Sequence, residues 1–343
     1  MENKKPILEV RNVKKYFPIT GGFIRHNVGD VKAVDGVSFD LYPGETLGIV
    51  GESGCGKSTL ARAILGLYEG VEGSVKYNGK ELVGMDKDER RKLSTDLQMI
   101  FQDPYSSLNP RMTAGQIVAE PLSNNSLYKD KEDMREKVIN TIEECGLAGY
   151  HATRYPHEFS GGQRQRIGIA RSLVLNPKIV ICDEAVSALD VSIQAQIINL
   201  LMNLQDERGL SYIFISHDLS VVEHISTRVG VMYLGNFVEM GSKEKLYENP
   251  LHPYTQALLS AAPVADPSAV VERQILEGDL PSPANPPKGC KFHTRCPYAQ
   301  EKCVKDAPQL LDIGENHSVA CHYVNNLKPR TLKSSTNEVT IKE

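Results

Sequence analysis

Short apolar runs broken by Gly, Pro and Asp fill residues 7–50, and their spacing is that of strands and turns. The runs are ILEVRNV, KAVDGVSFDL and ETLGIV. The period then changes, because KSTLARAILGL places Leu60, Ala63, Ile64 and Leu67 on one helical face. The pattern therefore predicts a strand, a glycine-rich loop and a helix in succession.

Further apolar runs of strand length follow, with a helical block between them. The runs are DLQMIF, KIVIC and SYIFIS, with helical patterns after each. Residues 110–156 are helical in patches, and KEDMREKVINTIEECGL stops at Gly146. Alternating strands and helices predict an α/β fold with a mostly parallel sheet covered by helices, and the block predicts a helical insertion at about residues 104–160.

Proline becomes frequent from about residue 250, which predicts a linker of low helical content leading to a cysteine-rich region. We expect a nucleotide-binding domain over residues 1–255, a Pro- and Cys-rich segment over 256–328 and a disordered tail over 329–343. The sequence shows no internal duplication, so one nucleotide domain is predicted.

Charge and hydropathy exclude several classes of protein. The formal net charge of −4 gives no electrostatic reason to expect nucleic acid as a partner. No apolar run is long enough to span a bilayer, and the polar N-terminus lacks the pattern of an export signal. We therefore expect a chain that is not exported and that meets membranes only peripherally.

The stretch GESGCGKST fits the G-x-x-x-x-G-K-[ST] phosphate loop, placed between a predicted strand and a predicted helix. Its backbone N–H groups would surround phosphates, Lys57 would reach the β- and γ-phosphates, and the Ser58 hydroxyl would ligate Mg²⁺. A thiol at Cys55 is expected to be shielded by bound ATP. The predicted nucleotide-binding residues of this loop are Gly51, Glu52, Ser53, Gly54, Cys55, Gly56, Lys57, Ser58 and Thr59.

Two acids end the apolar run KIVICDE, where the chemistry of a phosphate-loop site requires them. Asp183 is the candidate carboxylate of the Mg²⁺ shell, and Glu184 is the candidate base that polarises the attacking water.

A second possible anion cradle lies in HEFSGGQRQ, formed by Ser160, Gly161, Gly162 and Gln163. Ser160 is a good N-cap, and the helix after it would direct its positive dipole end outward until Asn176 and Pro177 end it. A single nucleotide domain with two cradles calls for an explanation.

The order of these motifs supplies it. The motifs occur in the order phosphate loop, Gln102, SGGQ, Asp183-Glu184, SALD and His217. In this order the chain resembles the ATP-binding cassette (ABC) ATPases. The resemblance implies a P-loop NTPase of ABC type with an added antiparallel β subdomain. It also implies that two nucleotide domains close head to tail, so that SGGQ serves the ATP of a partner.

Individual roles are carried over from this resemblance. Tyr16 resembles the aromatic that stacks on adenine, with Phe17 as the alternative. Gln102 resembles the glutamine that touches the Mg²⁺ shell and relays the nucleotide state to membrane subunits. Asp190 resembles the acid that links the half-sites, and His217 the histidine that contacts the γ-phosphate, so that Glu184, His217 and Gln102 form the implied catalytic set.

The sequence departs from the family pattern at two positions. Phe159 replaces a more common leucine and keeps an apolar side chain. Ala185 replaces a common proline, which affects the stiffness of the loop after the catalytic acids.

A closer resemblance covers roughly residues 5–325. FQDPYSSLNPRMT, DEAVSALDVSIQAQI, ENPLHPYTQALLSAAP and GCKFHTRCPYAQEKC resemble the ATP-binding subunits of bacterial oligopeptide and dipeptide importers, and the insertion after Tyr16 resembles the F-type subunit. This implies ATP-driven peptide import, with a D-type ATPase partner, two permease subunits and an extracellular peptide-binding protein, at the cytoplasmic face of the membrane.

Other functions remain open from the sequence. The family also contains nickel and glutathione importers, and soluble ABC ATPases act on DNA or ribosomes. A small-molecule kinase with a phosphate loop would leave SGGQ and His217 unexplained.

Four of the seven cysteines crowd the C-terminal region in the spacing C-x5-C-x6-C-x17-C. Four thiolates could hold zinc or an iron-sulfur cluster, or remain reduced and free. The resemblance associates a [4Fe–4S] cluster with this segment, where it would fix a region with few apolar residues. The predicted ligands are Cys290, Cys296, Cys303 and Cys321, with His293, His317 and His322 as possible substitutes.

Overall fold

The structure is a computed structural model that describes residues 5–21, 26–103, 105–261, 276 and 278–324. The predicted tail at 329–343 lies outside the described residues, as does most of the proline-rich stretch at 262–275.

An eight-stranded sheet forms the centre of the molecule, in the strand order β11-β12-β10-β9-β3-β8-β7-β6. The neighbours from β9 through β6 are parallel, and β10, β12 and β11 are added antiparallel at one edge. The predicted mostly parallel sheet is therefore confirmed. Its strands are β3 (Thr46–Val50), β6 (Leu97–Ile100), β7 (Ile179–Asp183), β8 (Ser211–Ile215), β9 (Arg228–Tyr233), β10 (Asn236–Ser242), β11 (Leu311–Asp312) and β12 (Ser318–Val319).

A second, antiparallel sheet has the order β2-β1-β4-β5 and forms the predicted β subdomain. Its strands are β1 (Leu8–Gly21), β2 (His26–Leu41), β4 (Val71–Tyr77) and β5 (Lys80–Glu81). Alternate residues of β1, such as Leu8 and Val10, are fully buried beside Leu60 and Ile64 of the first helix. The apolar face of this sheet therefore packs on the helix that carries the phosphate loop.

Ten α-helices are present in the described ranges, and none of these is long and apolar enough to cross a bilayer. They are α1 (Lys57–Ile64), α2 (Lys87–Leu93), α3 (Ala114–Asn125), α4 (Lys131–Glu144), α5 (Gly161–Leu173), α6 (Val191–Arg208), α7 (Leu219–Ile225), α8 (Lys243–Glu248), α9 (Pro253–Ala261) and α10 (Glu301–Lys305).

Helices α3 and α4 form the predicted insertion and pack on α5. Thr113 and Gln116 make a reciprocal capping box at the start of α3, and Asp130 accepts two backbone N–H groups at the start of α4. Helix α4 ends at Glu144, and Gly146 follows with a positive φ of 74°, as the sequence predicts.

The C-terminal region is joined to the nucleotide domain more closely than the sequence predicts. The expected boundary after residue 255 falls inside α9, whose Tyr254 and Leu259 are buried in the main core. Strand β12 also pairs with β10 and so extends the central sheet. The local sequence gives only a weak signal for a helix here. Helix α9 forms because burial of its apolar face stabilises it.

Candidate nucleotide-binding site

The phosphate loop joins the buried strand β3 to the start of α1, and its glycines are required by close backbone contacts. Gly56 has φ 108°, and a Cβ there would lie 2.0 Å from the Ala33 carbonyl oxygen. Gly51 has φ 151°, and its Cβ would lie 2.2 Å from the Met232 carbonyl oxygen. Only glycine lets the loop take this path between β2 and β9.

Lys57 is the first residue of α1 and is 4% exposed. Its ammonium group donates hydrogen bonds of 2.7 and 3.0 Å to the carbonyl oxygens of Gly51 and Glu52. The cation is therefore held at the mouth of the loop, where it fits an anionic oxygen.

One cavity of about 220 Å³ brings the loop together with residues from distant strands. Gln102 follows β6, Glu184 follows β7, and both reach this cavity, as the carboxyl ends of adjacent parallel strands should. Its lining consists of Val31, Ala33, Ser53, Gly54, Gly56, Lys57, Ser58, Thr59, Gln102, Glu184 and Pro283.

Oxygen ligands suited to Mg²⁺ lie in and next to this cavity. The Ser58 hydroxyl donates a 2.6 Å hydrogen bond to Asp183, and Gln102 lines the same space. Asp183 is 2% exposed, and burial raises its pKa, opposed by the hydrogen bond from Ser58 and by the charge of Arg62 at 3.7 Å. A hydroxyl, a carboxylate and an amide oxygen are the ligands that this cation prefers, so the residues fit it.

Glu184 has a left-handed backbone conformation, with φ 50°. Its N–H donates to the Ile215 carbonyl over 2.9 Å, and its carboxylate accepts a 2.7 Å hydrogen bond from the Gln102 amide. His217 Nδ1 lies 3.6 Å from the same carboxylate. A non-glycine residue held in this conformation is typical of a functional position.

Tyr16 and Phe17 lie on opposite faces of β1. Phe17 pairs with Val31, which lines the nucleotide cavity, whereas the Tyr16 hydroxyl donates to Asp35 on the other face. Cross-strand partners share a face, so the register favours Phe17 for contact with adenine. The assignment of Tyr16 stays a prediction that this geometry does not support.

The SGGQ stretch begins α5, as predicted. Ser160 and Gln163 form a reciprocal capping box, and an added Cβ at Gly162 would meet Ile193 at 2.4 Å. Asp190 caps α6 by accepting the Ile193 N–H over 3.1 Å. No residue of the SGGQ stretch lines the chain's own nucleotide cavity.

The four C-terminal cysteines line one small cavity of about 20 Å³, together with His293 and His322. Among the described residues, no group of three or more Cys, His, Asp or Glu side chains forms a metal-binding arrangement. Burial raises the pKa of Cys296 to about 11. His317 lies elsewhere, bonded to Glu239 at 2.7 Å, so its suggested place among the ligands is wrong.

The sequence-based prediction lacks several residues of the site, which are Arg62, Pro283, Arg295 and the cavity-lining Val31 and Ala33. Arg62 lies one helical turn after Ser58, so the period of α1 could have indicated it. Pro283 lines the nucleotide cavity, and Arg295 binds the phosphate-loop residue Glu52, 243 positions away in the sequence. No local pattern connects these two with the loop.

Comparison with known proteins agrees with this geometry. The ABC transporter family matches residues 34–187, and the C-terminal region of oligopeptide/dipeptide transporters matches residues 238–303. The chain is 57% identical over 323 residues to the oligopeptide transport ATP-binding protein AppF of Bacillus subtilis (strain 168), covering 93% of this chain and 98% of that protein. It is 56% identical to the oligopeptide transport ATP-binding protein OppF of Escherichia coli (strain K12), with 93% and 97% covered.

One further relative, named for di- and tripeptide transport, and two solved structures are also similar to this chain. The di/tripeptide transport ATP-binding protein DppF of Pseudomonas aeruginosa (strain UCBPP-PA14) is 50% identical, with 92% and 97% covered. The ATP-binding cassette MJ0796, a dimer in a post-hydrolysis state bound to ADP and Pi, matches with TM-score 0.61 and 28% identity over 69% of this chain and 98% of that one. Clostridium perfringens cbiO1, part of the transporter complex cbiONQ, matches with TM-score 0.61 and 26% identity over 71% and 90%. The chain therefore belongs to the ABC transporter family, among the ATP-binding proteins of oligopeptide and dipeptide transport.

Proposed function

We propose that this chain is the ATP-hydrolysing subunit of a peptide importer and works at the cytoplasmic face of the cell membrane. The observation that carries the proposal is the single cavity in which the phosphate loop meets Gln102 and Glu184. The relatives named for oligopeptide and dipeptide transport, matched over nearly their whole length, support the peptide cargo.

The side chains divide the chemistry of hydrolysis among them. Lys57 and the loop N–H groups bind the β- and γ-phosphates, and His217 contacts the γ-phosphate. Glu184 accepts the proton of the attacking water while Gln102 holds its carboxylate in place. Ser58, Asp183 and Gln102 would hold Mg²⁺, which neutralises charge on the phosphates when bound.

A second ATPase subunit completes the site in this proposal. The Ser160 helix start is exposed and lies outside the chain's own nucleotide cavity, so the positive end of α5 is available to the γ-phosphate of another subunit. The cassette MJ0796 is dimeric in its ADP-bound structure, which supports a paired arrangement. We infer that the partner here is a different, D-type ATPase.

Permease contact is proposed at an apolar cavity of about 260 Å³ beside the helical insertion. Leu67, Phe101 and Pro121 line it, and Phe101 precedes Gln102. A permease segment bound in this cavity would move when Gln102 moves and would transmit that movement to the pore. An extracellular binding protein delivers peptide to the pore.

The four-cysteine cavity is proposed to hold a [4Fe–4S] cluster. The support is that Cys290, Cys296, Cys303 and Cys321 line one small cavity, since thiolates are the ligands of such clusters. Iron, zinc and sulfide analysis of anaerobically purified chain tests it. Four iron and four sulfide per chain are expected, whereas stoichiometric zinc or bare thiols would contradict the cluster.

Reconstitution with the co-encoded subunits and binding protein tests the function as a whole. ATP-driven accumulation of labelled peptides in vesicles is expected. Lys57→Ala should bind ATP poorly, and Glu184→Gln should bind ATP but hydrolyse it at least about a hundredfold more slowly. Accumulation of nickel or glutathione without peptide, or co-purification with nucleic acid instead of permeases, would favour the alternative functions.

A further inference from the structure

The cysteine-bearing segment reaches the phosphate loop through one side chain. The Arg295 guanidinium donates two hydrogen bonds to the Glu52 carboxylate, of 2.9 and 3.1 Å. The Arg295 side chain is 8% exposed and that of Glu52 is 28% exposed, so the pair is partly shielded from water. A bidentate pair of this kind fixes both direction and distance.

Both polar backbone groups of Glu52 are hydrogen-bonded as well. Its N–H donates to the Tyr254 hydroxyl over 2.9 Å, and its carbonyl accepts from Lys57 over 3.0 Å. Lys57 and Arg295 therefore bind the same residue. Lys57 binds its backbone carbonyl, and Arg295 binds its carboxylate. Glu52 itself does not line the nucleotide cavity.

The turn that carries Arg295 is anchored between two of the cysteines. Its N–H donates to the Phe292 carbonyl over 3.0 Å, and the Phe292 ring packs against Tyr233 and Tyr254 at 5.3 and 5.4 Å. Phe292 is 1% exposed. The aromatic group places the turn so that Arg295 faces Glu52, because Tyr254 contacts both Phe292 and Glu52.

We propose that Arg295 is a positioning residue of the ATP site, which holds and neutralises Glu52 so that the phosphate loop binds ATP at full affinity. The proposal rests on the ATP-binding function proposed for the chain. Without Arg295, the Glu52 carboxylate would place an unpaired negative charge in the loop that receives the phosphates, and that charge would repel them. The C-terminal segment is then a working part of the nucleotide site.

A double-mutant cycle on the full-length chain tests this proposal. ATP dissociation constants are measured by equilibrium binding for wild type, Arg295→Met, Glu52→Gln and the double variant. Arg295→Met is expected to weaken ATP about tenfold, within the range of ordinary coupling between sites. In the Glu52→Gln background the same Arg295→Met change should weaken ATP binding less than about threefold, because no carboxylate remains for Arg295 to neutralise.

Two further variants separate positioning from simple loss of structure. Lys305→Met removes a cation from an exposed pair with Glu301 in the same segment and should leave ATP affinity unchanged. Arg295→Lys keeps the charge and should recover part of the affinity lost in Arg295→Met. In the assembled transporter, Arg295→Met should raise KM for ATP about tenfold with kcat within about twofold of wild type.

The outcomes distinguish this proposal from the ATPase assignment. Wild-type affinity in Arg295→Met, or an equal loss of affinity from Arg295→Met in the wild-type and Glu52→Gln backgrounds, would overturn the role of Arg295 while Lys57→Ala still loses ATP. If Lys57→Ala binds ATP as well as wild type, the ATPase assignment itself fails. If Arg295→Met does not fold, thermal unfolding will show it, and Arg295→Lys and the double variant then decide the question.

Discussion

The side-chain amide of Gln102 donates a 2.7 Å hydrogen bond to the carboxylate of Glu184. The two residues follow neighbouring parallel strands, β6 and β7, so the bond joins the sheet edge next to the helical insertion to the end of the strand that carries Asp183. The candidate catalytic base is therefore positioned by the residue that leads into the insertion. Through this bond, movement of the insertion would change the orientation of Glu184. The insertion itself would not need to contact the nucleotide.

Gln102→Ala should lower ATP hydrolysis about tenfold in the assembled transporter, with ATP affinity of the chain within about threefold of wild type, because the base loses its orienting hydrogen bond. Gln205→Ala is the control, since the side-chain amide of Gln205 donates to the Gly44 backbone oxygen over 3.1 Å and Gln205 lines neither the nucleotide cavity nor the apolar cavity beside the insertion. Steady-state hydrolysis and equilibrium ATP binding measure the two effects. Equal hydrolysis by the Gln102 and Gln205 variants would contradict the orienting role.

The local motifs of the site could be predicted from the sequence because each is a short run with its own geometry. The phosphate loop, the acids at the end of β7 and the capped start of α5 each depend on neighbours within a few residues. The meeting of Gln102 and Glu184 with the phosphate loop in one cavity also follows, since adjacent parallel strands end at one sheet edge.

Contacts between distant segments could not be predicted in the same way. Whether Tyr16 or Phe17 faces the nucleotide depends on the register of β1 against β2, which a one-residue shift would reverse. Arg295 reaches the phosphate loop from the cysteine turn, which packs on Tyr254 of α9, and Pro283 accepts a hydrogen bond from the Lys32 N–H of β2. A proline-rich sequence carries no pattern for either placement. The boundary after residue 255 stays a prediction, and the sequence carries no signal that helix α9 crosses it or that Leu259 is buried in the main core.

Ser160→Ala should separate binding from hydrolysis. The substitution removes the hydroxyl that caps α5, at a cost of about 1 kcal/mol in local helix stability, and leaves the chain's own nucleotide cavity intact. ATP affinity of the isolated chain should stay within about twofold of wild type, whereas hydrolysis by the assembled transporter should fall about tenfold.

Ser242→Ala is the control for this experiment, because Ser242 caps α8 by accepting the Lys245 N–H in the same way. It lies outside the residues that line the nucleotide cavity. Hydrolysis that falls equally in both variants would mean that cap stability, and not a partner's phosphate, explains the effect of Ser160.

Cys55 should react slowly with iodoacetamide at pH 8, both with and without ATP. The thiol is 1% exposed, and burial raises its pKa, so the reactive thiolate is scarce before any nucleotide binds. This differs from the expectation that ATP shields it, because the fold already does so. Peptide mass spectrometry measures the labelling, with urea-unfolded chain as the fully reactive control. Fast labelling that ATP abolishes would contradict the prediction.

His252 should make the folded chain less stable below pH 6.5. It is 2% exposed, and burial lowers its pKa to about 4, against the opposing charge of Glu239, which also binds His317. Between about pH 6.5 and 4 the unfolded chain binds the proton that the folded chain does not, so the free energy of unfolding falls as pH falls. The full loss for one such histidine is about 3 kcal/mol. This full loss of stability is reached only below the pKa of His252 in the folded chain.

Urea unfolding at pH 7 and pH 5 measures this loss, with His252→Asn as the comparison. Asparagine offers an oxygen to the Tyr254 N–H, which His252 Nδ1 accepts over 3.1 Å, but it does not titrate. The variant should therefore lose less stability than wild type between the two pH values. The same loss in both chains would assign the pH dependence to other groups.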